Sequence, residues 1–211
     1  MYVQKIFEET RTDVLHALMS DHPMASLVVQ VDGRLEANNV PFEIDRATGP
    51  LGTLRCHVAR ASGFWRTHSP HVEAMVIFQG PNAYISPRWY VNGQKSGKVL
   101  PGWNYAVVHA YGRLRVMDDE QWLMAHLANL ALPNEAAREK PWRLDEAPVD
   151  FVRAAATHII GLEMTISELV GKWHVSQHRT PADRESVVAA LMEEKKPGAA
   201  GIARLIAQVG K

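Results

Sequence analysis

The stretch Asn104-Tyr-Ala-Val-Val-His-Ala-Tyr-Gly-Arg-Leu-Arg-Val-Met117 is the longest strand pattern in the chain, and it decides the fold class. Small and apolar residues alternate along it with aromatic and charged ones, so that one face of the strand is suited to a core. Shorter strand patterns precede it at Leu27–Val31, Leu35–Phe42 and Thr53–Val58. Helical patterns lie at both ends of the chain and directly after the long strand.

Turn signals between these patterns predict antiparallel neighbours. Asp32-Gly33 predicts a two-residue hairpin, because both central positions of a type I′ turn need positive φ. Gly80-Pro81-Asn82 predicts a second hairpin, between strands at Glu73–Phe78 and Ala83–Ser86. The segment from Arg88 to Gly102, rich in Gly, Pro, Lys and Asn, predicts a mobile loop near the functional site.

Short strands at regular spacing, with helices kept to the ends, are typical of an antiparallel barrel. The predicted class is α+β, with an antiparallel Greek-key barrel, peripheral helices and a small helical C-terminal segment. We expect the barrel to span residues 1–170. The C-terminal motif and helices, residues 171–211, are expected to pack on the barrel or on a second subunit.

Charge and composition exclude several classes of protein. Lys plus Arg and Asp plus Glu both number 23, so the formal charge is zero and carries no footprint for non-specific DNA binding. The single cysteine, Cys56, leaves no internal disulfide and fits a reducing compartment. The sequence has neither an apolar run of roughly 20 residues, as a membrane helix needs, nor a signal peptide. We therefore expect a cytoplasmic protein that does not contact a membrane.

Anion binding is the chemistry that the residues themselves indicate most directly. His57-Val-Ala-Arg60 lies where a strand pattern gives way to a helical one. Free N–H groups at such a turn bind phosphate, and Arg60 would add charge-assisted hydrogen bonds. An exposed helix arginine without a ligand is an equally good interpretation.

Two aromatic and polar runs are further candidates. Trp103-Asn-Tyr105 follows a Pro-Gly turn and offers a stacking surface, an amide and a phenol, which suit a planar ligand rich in hydrogen-bonding groups. The run Gly171–Arg179 contains Trp, Lys, Ser, Gln and Arg within nine residues. Its alternative interpretation is a solvated connector whose tryptophan covers an apolar surface.

Metal and nucleophile chemistry are not indicated. The pairs His68-x2-His71 and His174-x3-His178 lack cysteine partners or an H-E-x-x-H context. Cys56 lies within a strand pattern, as a small buried apolar residue would, and no G-x-S-x-G elbow is present. Catalytic residues are therefore not identified.

Several runs together resemble the PaiB family, the FMN-binding negative transcriptional regulators. The resemblance covers nearly the whole chain in the family's order, at Leu35–Phe42, Gly52–Arg60, Phe78–Tyr90, Trp103–Tyr105 with His109, and Gly171–Trp173 through Ser176-Gln177. It implies an FMN-binding split β-barrel, related to pyridoxamine-phosphate oxidases and flavin reductases. It also implies a homodimer with the flavin at the subunit interface.

The resemblance implies a set of site residues. The flavin phosphate would be held from His57 to Arg60, strand backbone would lie against the flavin ring, and a polar residue would reach it from the other subunit. A C-terminal tryptophan with a basic neighbour would close the site. The implied FMN-binding residues are Asn38, Asn39, Val40, His57, Arg60, Trp103, Asn104, Lys172, Trp173 and Gln177. The chain departs from the usual family residues at Asn39, Ser62 and His178.

Three functions remain as alternatives at this point. The first is an FMN-binding homodimeric transcriptional regulator, and the second is an FMN-dependent oxidoreductase, an oxidase or flavin reductase of a small molecule. The third is binding without flavin, for example of haem at His57, His109 or His174. Whether the chain is an enzyme stays open. DNA also stays open as a partner, although the last helical pattern is largely apolar and suits packing better than base recognition.

Overall fold

The computed structural model describes residues 1–210, and Lys211, the last residue of the predicted C-terminal segment, lies outside them. The strands are β1 (Glu8–Glu9), β2 (Met24–Val31), β3 (Arg34–Pro41), β4 (Glu43–Asp45), β5 (Thr53–Ala59), β6 (Ala74–Ile85), β7 (Gly102–Met117) and β8 (Ile159–His174). The helices are α1 (Thr12–Asp21), α2 (Phe64–Thr67), α3 (Val91–Ser96), α4 (Glu120–Glu135), α5 (Val149–Ala156), α6 (Pro181–Glu193) and α7 (Ala199–Ala207).

The strands form an eight-stranded sheet with the order β3-β2-β6-β7-β8-β5-β4, and β1 pairs with β8. The pairs β1–β8, β2–β3, β2–β6, β4–β5 and β5–β8 are antiparallel. The hairpin predicted at Asp32-Gly33 is confirmed, since the two residues have φ of 48° and 77° and Val31 faces Arg34. Strand β3 ends the strand order, so one side of its backbone is not paired within the sheet.

The hairpin predicted at Gly80-Pro81-Asn82 is wrong, because β6 runs through these residues without a turn. The small residue at position 80 serves packing instead. A Cβ on Gly80 would lie 2.8 Å from the Leu18 side chain and 3.0 Å from the Ala106 carbonyl oxygen. A Cβ on Gly201 would likewise lie 2.7 Å from Pro81. Turn-forming residue types here allow close approach of neighbouring elements to a continuous strand.

The loop predicted between Arg88 and Gly102 is also largely wrong. Its first part forms a 3-10 turn at Pro87–Trp89 and then α3. The Asn92 backbone N–H donates to the Asp183 carboxylate at 2.8 Å, and the Asn92 side chain donates to Thr180 at 2.9 Å. Contacts with the start of α6, distant in sequence, therefore order a segment whose composition resembles a loop.

The chain divides into two compact units, each with its own core. The terminal unit comprises Met1–Leu18, Gln79–Val108 and Val170 to the last described residue; the central unit comprises Met19–Phe78 and His109–Leu169. Fully buried side chains of the terminal unit include Leu191, Ile202 and Ile206. Those of the central unit include Leu27, Leu54, Phe78 and Leu162. The division predicted at residue 170 stays a prediction.

A helix that crosses a membrane must be long and apolar. Among residues 1–210, no helix is long and apolar enough to cross a membrane.

Candidate functional site

The end of β5 in the central unit carries the predicted anion-binding residues. The predicted helix after it is two short turns, a 3-10 turn at Arg60–Ser62 and the four-residue α2, separated by Gly63 with φ of 78°. Such short turns align few peptide dipoles, so charge at this corner comes from side chains. Arg60 donates from its two Nη atoms to the two carboxylate oxygens of Asp118, at 2.8 and 2.6 Å, and from Nε to the Thr157 carbonyl at 3.0 Å.

The Arg60–Asp118 pair is a bidentate ion pair near the protein surface. The Arg60 guanidinium lowers the pKa of the Asp118 carboxyl from its usual value, and the same pairing raises the pKa of Arg60. A planar guanidinium that grips a carboxylate in this way also suits a phosphate. Asp118 does not cap the following helix, because Asp119 does so, accepting from the Trp122 backbone N–H at 2.8 Å.

His57 lies on the same strand and is the end of a chain of hydrogen bonds. Its Nδ1 lies 3.1 Å from His126 Nε2 on α4, and His126 Nδ1 lies 3.1 Å from a carboxylate oxygen of Glu43 on β4. His126 is 2% exposed and stacks on Trp122 with 5.1 Å between ring centroids. Burial, and secondarily the neighbouring His126, lower the pKa of His57.

Sequence reasoning found His57 but missed Glu43 and His126. The three residues lie 69 and 83 positions apart along the bonded chain, so no local spacing joins them. A histidine in the second turn of a helix whose neighbours are apolar was the only available signal.

Asn38, Asn39 and Val40 lie on the edge strand β3. Val40 is buried, whereas Asn39 is exposed and its side-chain oxygen accepts from Ser26 Oγ at 2.7 Å. The residues that flank a two-residue type I′ turn form a hydrogen-bonded pair, and every second pair along the ladder follows. Asn39, opposite Ser26, therefore belongs to a non-hydrogen-bonded pair, and its backbone N–H and C=O point away from β2. This geometry leaves the Asn39 peptide groups directed to the open side of the edge.

In the terminal unit, the predicted amides are used inside the protein. Asn104 is 3% exposed and its Nδ2 donates to Ser176 Oγ at 2.8 Å. Ser176 has a positive φ of 63°, and the Gln177 side chain braces this turn. Gln177 Oε1 accepts from the Val175 N–H at 2.8 Å, and its Nε2 donates to the Trp173 carbonyl. These contacts hold the turn after β8 in a conformation that a non-glycine residue rarely adopts.

The remaining predicted residues of the terminal unit differ in exposure. Trp173 is 8% exposed, whereas Trp103 is 57% exposed and lies edge-on to Tyr84 at 6.1 Å between ring centroids. Lys172 donates to the Tyr2 carbonyl at 3.2 Å, and its Nζ lies 5.6 Å from the centre of the Tyr105 ring. Of this group, Trp103 offers the largest free aromatic surface.

Each unit therefore contains one half of the predicted set. Residues 38, 39, 40, 57 and 60 lie in the central unit, and residues 103, 104, 172, 173 and 177 lie in the terminal unit. Their assignment to FMN stays a prediction residue by residue. The donor set at β5 fits the cofactor, because a guanidinium and an imidazole are groups that bind a phosphate monoester.

Residues 1–168 match the family model described as "Putative FMN-binding domain". A protein of Bacillus subtilis named "Protease synthase and sporulation protein PAI 2" is 26% identical over 206 residues, covering 98% of this chain and 96% of its own length.

Two solved structures share the fold at low sequence identity. The flavocytochrome Anf3 from Azotobacter vinelandii has a TM-score of 0.55 and 15% identity, over 82% of this chain and 72% of its own. An FAD and heme binding protein from Mycobacterium smegmatis has a TM-score of 0.53 and 16% identity, over 90% and 82%. The predicted α+β class with an FMN-binding split β-barrel is confirmed, and so is FMN as the cofactor.

Proposed function

We propose that this chain, which belongs to the PaiB family of FMN-binding proteins, acts as a homodimeric regulator whose state depends on bound FMN. The observation that carries the proposal is the corner at the end of β5. There the Arg60 guanidinium is held in place by Asp118, and His57 is held in place by His126. The related Bacillus protein is named for protease synthesis and sporulation, which favours a regulatory role for this chain as well.

The residues have distinct proposed roles toward FMN. Arg60 exchanges its Asp118 partner for the flavin phosphate, since an anion with three oxygens satisfies the same bidentate donor geometry. The outward-facing Asn39 peptide groups meet hydrogen-bonding edges of the flavin ring. When bound, FMN supplies a redox-active ring, and the protein sets its orientation and surroundings.

Exposed apolar side chains of the terminal unit support the homodimer. Trp103 is 57% exposed, Tyr84 is 42% exposed and Leu100 is 79% exposed, within a short stretch of the chain. Aromatic residues of this kind are enriched at protein interfaces, where they bury a large area with little loss of conformational freedom. We propose that Trp103, and not the buried Asn104, makes the contact that reaches the second subunit.

Light scattering at several protein concentrations, with and without FMN, tests the dimer. We expect a dimer that FMN stabilises and that Trp103→Ala weakens, with the exposed Tyr2→Ala as a control that leaves the mass unchanged. A monomer at every concentration, with FMN present, would rule the homodimer out.

Transcript profiles test regulation. The gene would be deleted in its host and restored as the wild type or as Arg60→Ala, and the same proteins would be assayed for FMN-dependent consumption of NADH or NADPH. We expect transcripts restored by the wild type and not by Arg60→Ala. Unchanged transcripts together with FMN-dependent turnover would instead establish the oxidoreductase alternative.

A further inference from the structure

Glu43, His126 and His57 form a hydrogen-bonded chain, here called the relay, in which the number of protons fixes which nitrogens donate. Its two bonds are both 3.1 Å long, and its middle member is almost fully buried. A carboxylate can only accept hydrogen bonds, and a neutral imidazole has one donor nitrogen and one acceptor nitrogen.

These rules fix the tautomers when no extra proton is present. His126 must donate from Nδ1 to ionised Glu43, so its Nε2 is an acceptor. His57 must then donate from Nδ1 to His126, so its own Nε2 carries a lone pair. In this state the free nitrogen of His57 repels a phosphate oxygen, because both are hydrogen-bond acceptors.

One added proton changes His57 Nε2 from an acceptor to a donor, whichever histidine of the relay carries the positive charge. If His57 carries it, both nitrogens of His57 are donors. If His126 carries it, beside Glu43, then His126 donates to His57 Nδ1, and neutral His57 has its hydrogen on Nε2. In each case His57 Nε2 becomes a donor. We propose that the relay takes up one proton when the phosphate monoester of FMN binds at His57, so that flavin affinity is coupled to pH through Glu43 and His126. This inference rests on the proposed role of the β5 corner in holding FMN.

The charges around the relay favour an added proton. The neighbouring charged groups are Arg55 on β5, Asp45 on β4, Glu163 on β8, Arg115 on β7, and Arg60 with Asp118 beyond the end of β5. Arg55 is shared among three carboxylates, those of Glu43, Asp45 and Glu163, at 3.9, 3.1 and 3.0 Å. Arg115 Nη2 also lies 3.6 Å from Glu163, so two cations face three carboxylates, and the surplus negative charge favours an added proton in the relay. Without a bound anion, burial lowers the pKa of His57, so this imidazole is neutral near pH 7.5.

Calorimetric titration with FMN at pH 7.5, in buffers of different ionisation enthalpy, measures the protons taken up. We expect about one proton to be taken up per FMN bound. The dissociation constant for FMN should then rise about tenfold per pH unit above the pH at which the free relay is half protonated, as linkage to one proton requires. Riboflavin, which lacks the phosphate, should bind without proton uptake.

Three variants isolate the relay. His57→Gln supplies an amide donor at every pH, so FMN should bind without this proton; it also corrects for the phosphate's own second pKa near 6. Glu43→Gln removes the carboxylate and should move the pH at which the free relay is half protonated to a lower value. Glu73→Gln makes the same chemical change at a carboxylate that is bonded to Ser167 and lies outside the relay, and it should behave as the wild type.

The outcomes separate this inference from the proposed function. FMN binding that Arg60→Ala weakens, but that takes up no proton in the wild type, would overturn the relay and leave the site standing. Proton uptake that persists in His57→Gln would also overturn it. Failure of FMN to bind at any pH would overturn both proposals together.

Discussion

The β5 corner of the central unit and the turn after β8 in the terminal unit both hold predicted site residues by hydrogen bonds, but the partners of those residues differ in kind. At the corner, Arg60 and His57 are bonded to other ionisable groups, Asp118 and His126. At the turn, Asn104 and Gln177 are bonded to a buried hydroxyl and to backbone groups. The Asp118 carboxylate lies near the surface and can be exchanged for a ligand anion, whereas His126 is buried and stays bonded to His57. Buried amide bonds cannot be given up without leaving polar groups unsatisfied.

The largest effect expected from this contrast is a difference in stability between variants of two tryptophans in the terminal unit. Trp173→Ala should lower the free energy of unfolding by about 3–5 kcal/mol, because a buried aromatic ring leaves a cavity. Trp103→Ala, at an exposed position, should change stability of the monomer by less than about 1 kcal/mol. Urea unfolding of both variants measures the difference. Equal losses would contradict the assignment of Trp173 to the core.

The buried amide gives the next effect. Asn104→Ala should cost about 1–3 kcal/mol of stability, since Ser176 Oγ is left without its 2.8 Å donor. Asn39→Ala, the same change on the exposed edge of β3, should cost much less. Chemical denaturation with matched FMN titrations separates folding from binding. An Asn104→Ala protein of wild-type stability that binds FMN poorly would show that the amide serves the ligand directly.

The Arg60–Asp118 ion pair at the β5 corner gives the next effect, which is a change in the affinity for FMN. Arg60→Ala should weaken FMN about tenfold or more, since one charge-assisted bidentate contact is lost. Asp118→Asn should strengthen FMN, because the competing carboxylate charge is removed. Fluorescence quenching of FMN measures both. If Asp118→Asn weakened FMN as much as Arg60→Ala does, Asp118 would be a positioning group rather than a competitor.

The pH dependence of stability is the smallest expected effect. Burial lowers the pKa of His57 in the central unit and of His174 and His178 in the terminal unit. Below about pH 6.5 the unfolded chain therefore binds more protons than the folded one, and stability falls as pH decreases through that range. The lowered pKa of Asp118 contributes only at lower pH, as its unfolded carboxyl titrates near 4.

Denaturation midpoints between pH 7.5 and 5.5, for wild type and His174→Gln, test this expectation. The variant should show a shallower loss of stability across that window. A slope unchanged by the substitution would mean that His174 titrates alike in the folded and unfolded chains.

Local pattern predicted most elements and one of the two hairpin turns. The alternation along β7 and the Asp-Gly hairpin are properties of a few adjacent residues, and both are confirmed. Gly80-Pro81-Asn82 has the same local character as a turn, yet it lies within β6. The reason is the packing of Leu18 and Gly201 against it, which no short window of sequence contains.

The candidate site shows the same division between what local sequence predicts and what tertiary contacts decide. The sequence by itself determined the family, the cofactor and the strand patterns, and it made His57 and Arg60 candidate site residues, because these depend on residue types in a fixed order. Only the tertiary structure decided the partners of those residues: Asp118 for Arg60, and His126 with Glu43 for His57. It also decided which tryptophan is exposed. Hydrogen bonds and burial depend on which distant segments meet, and chain folding sets that through the sheet order rather than through local spacing.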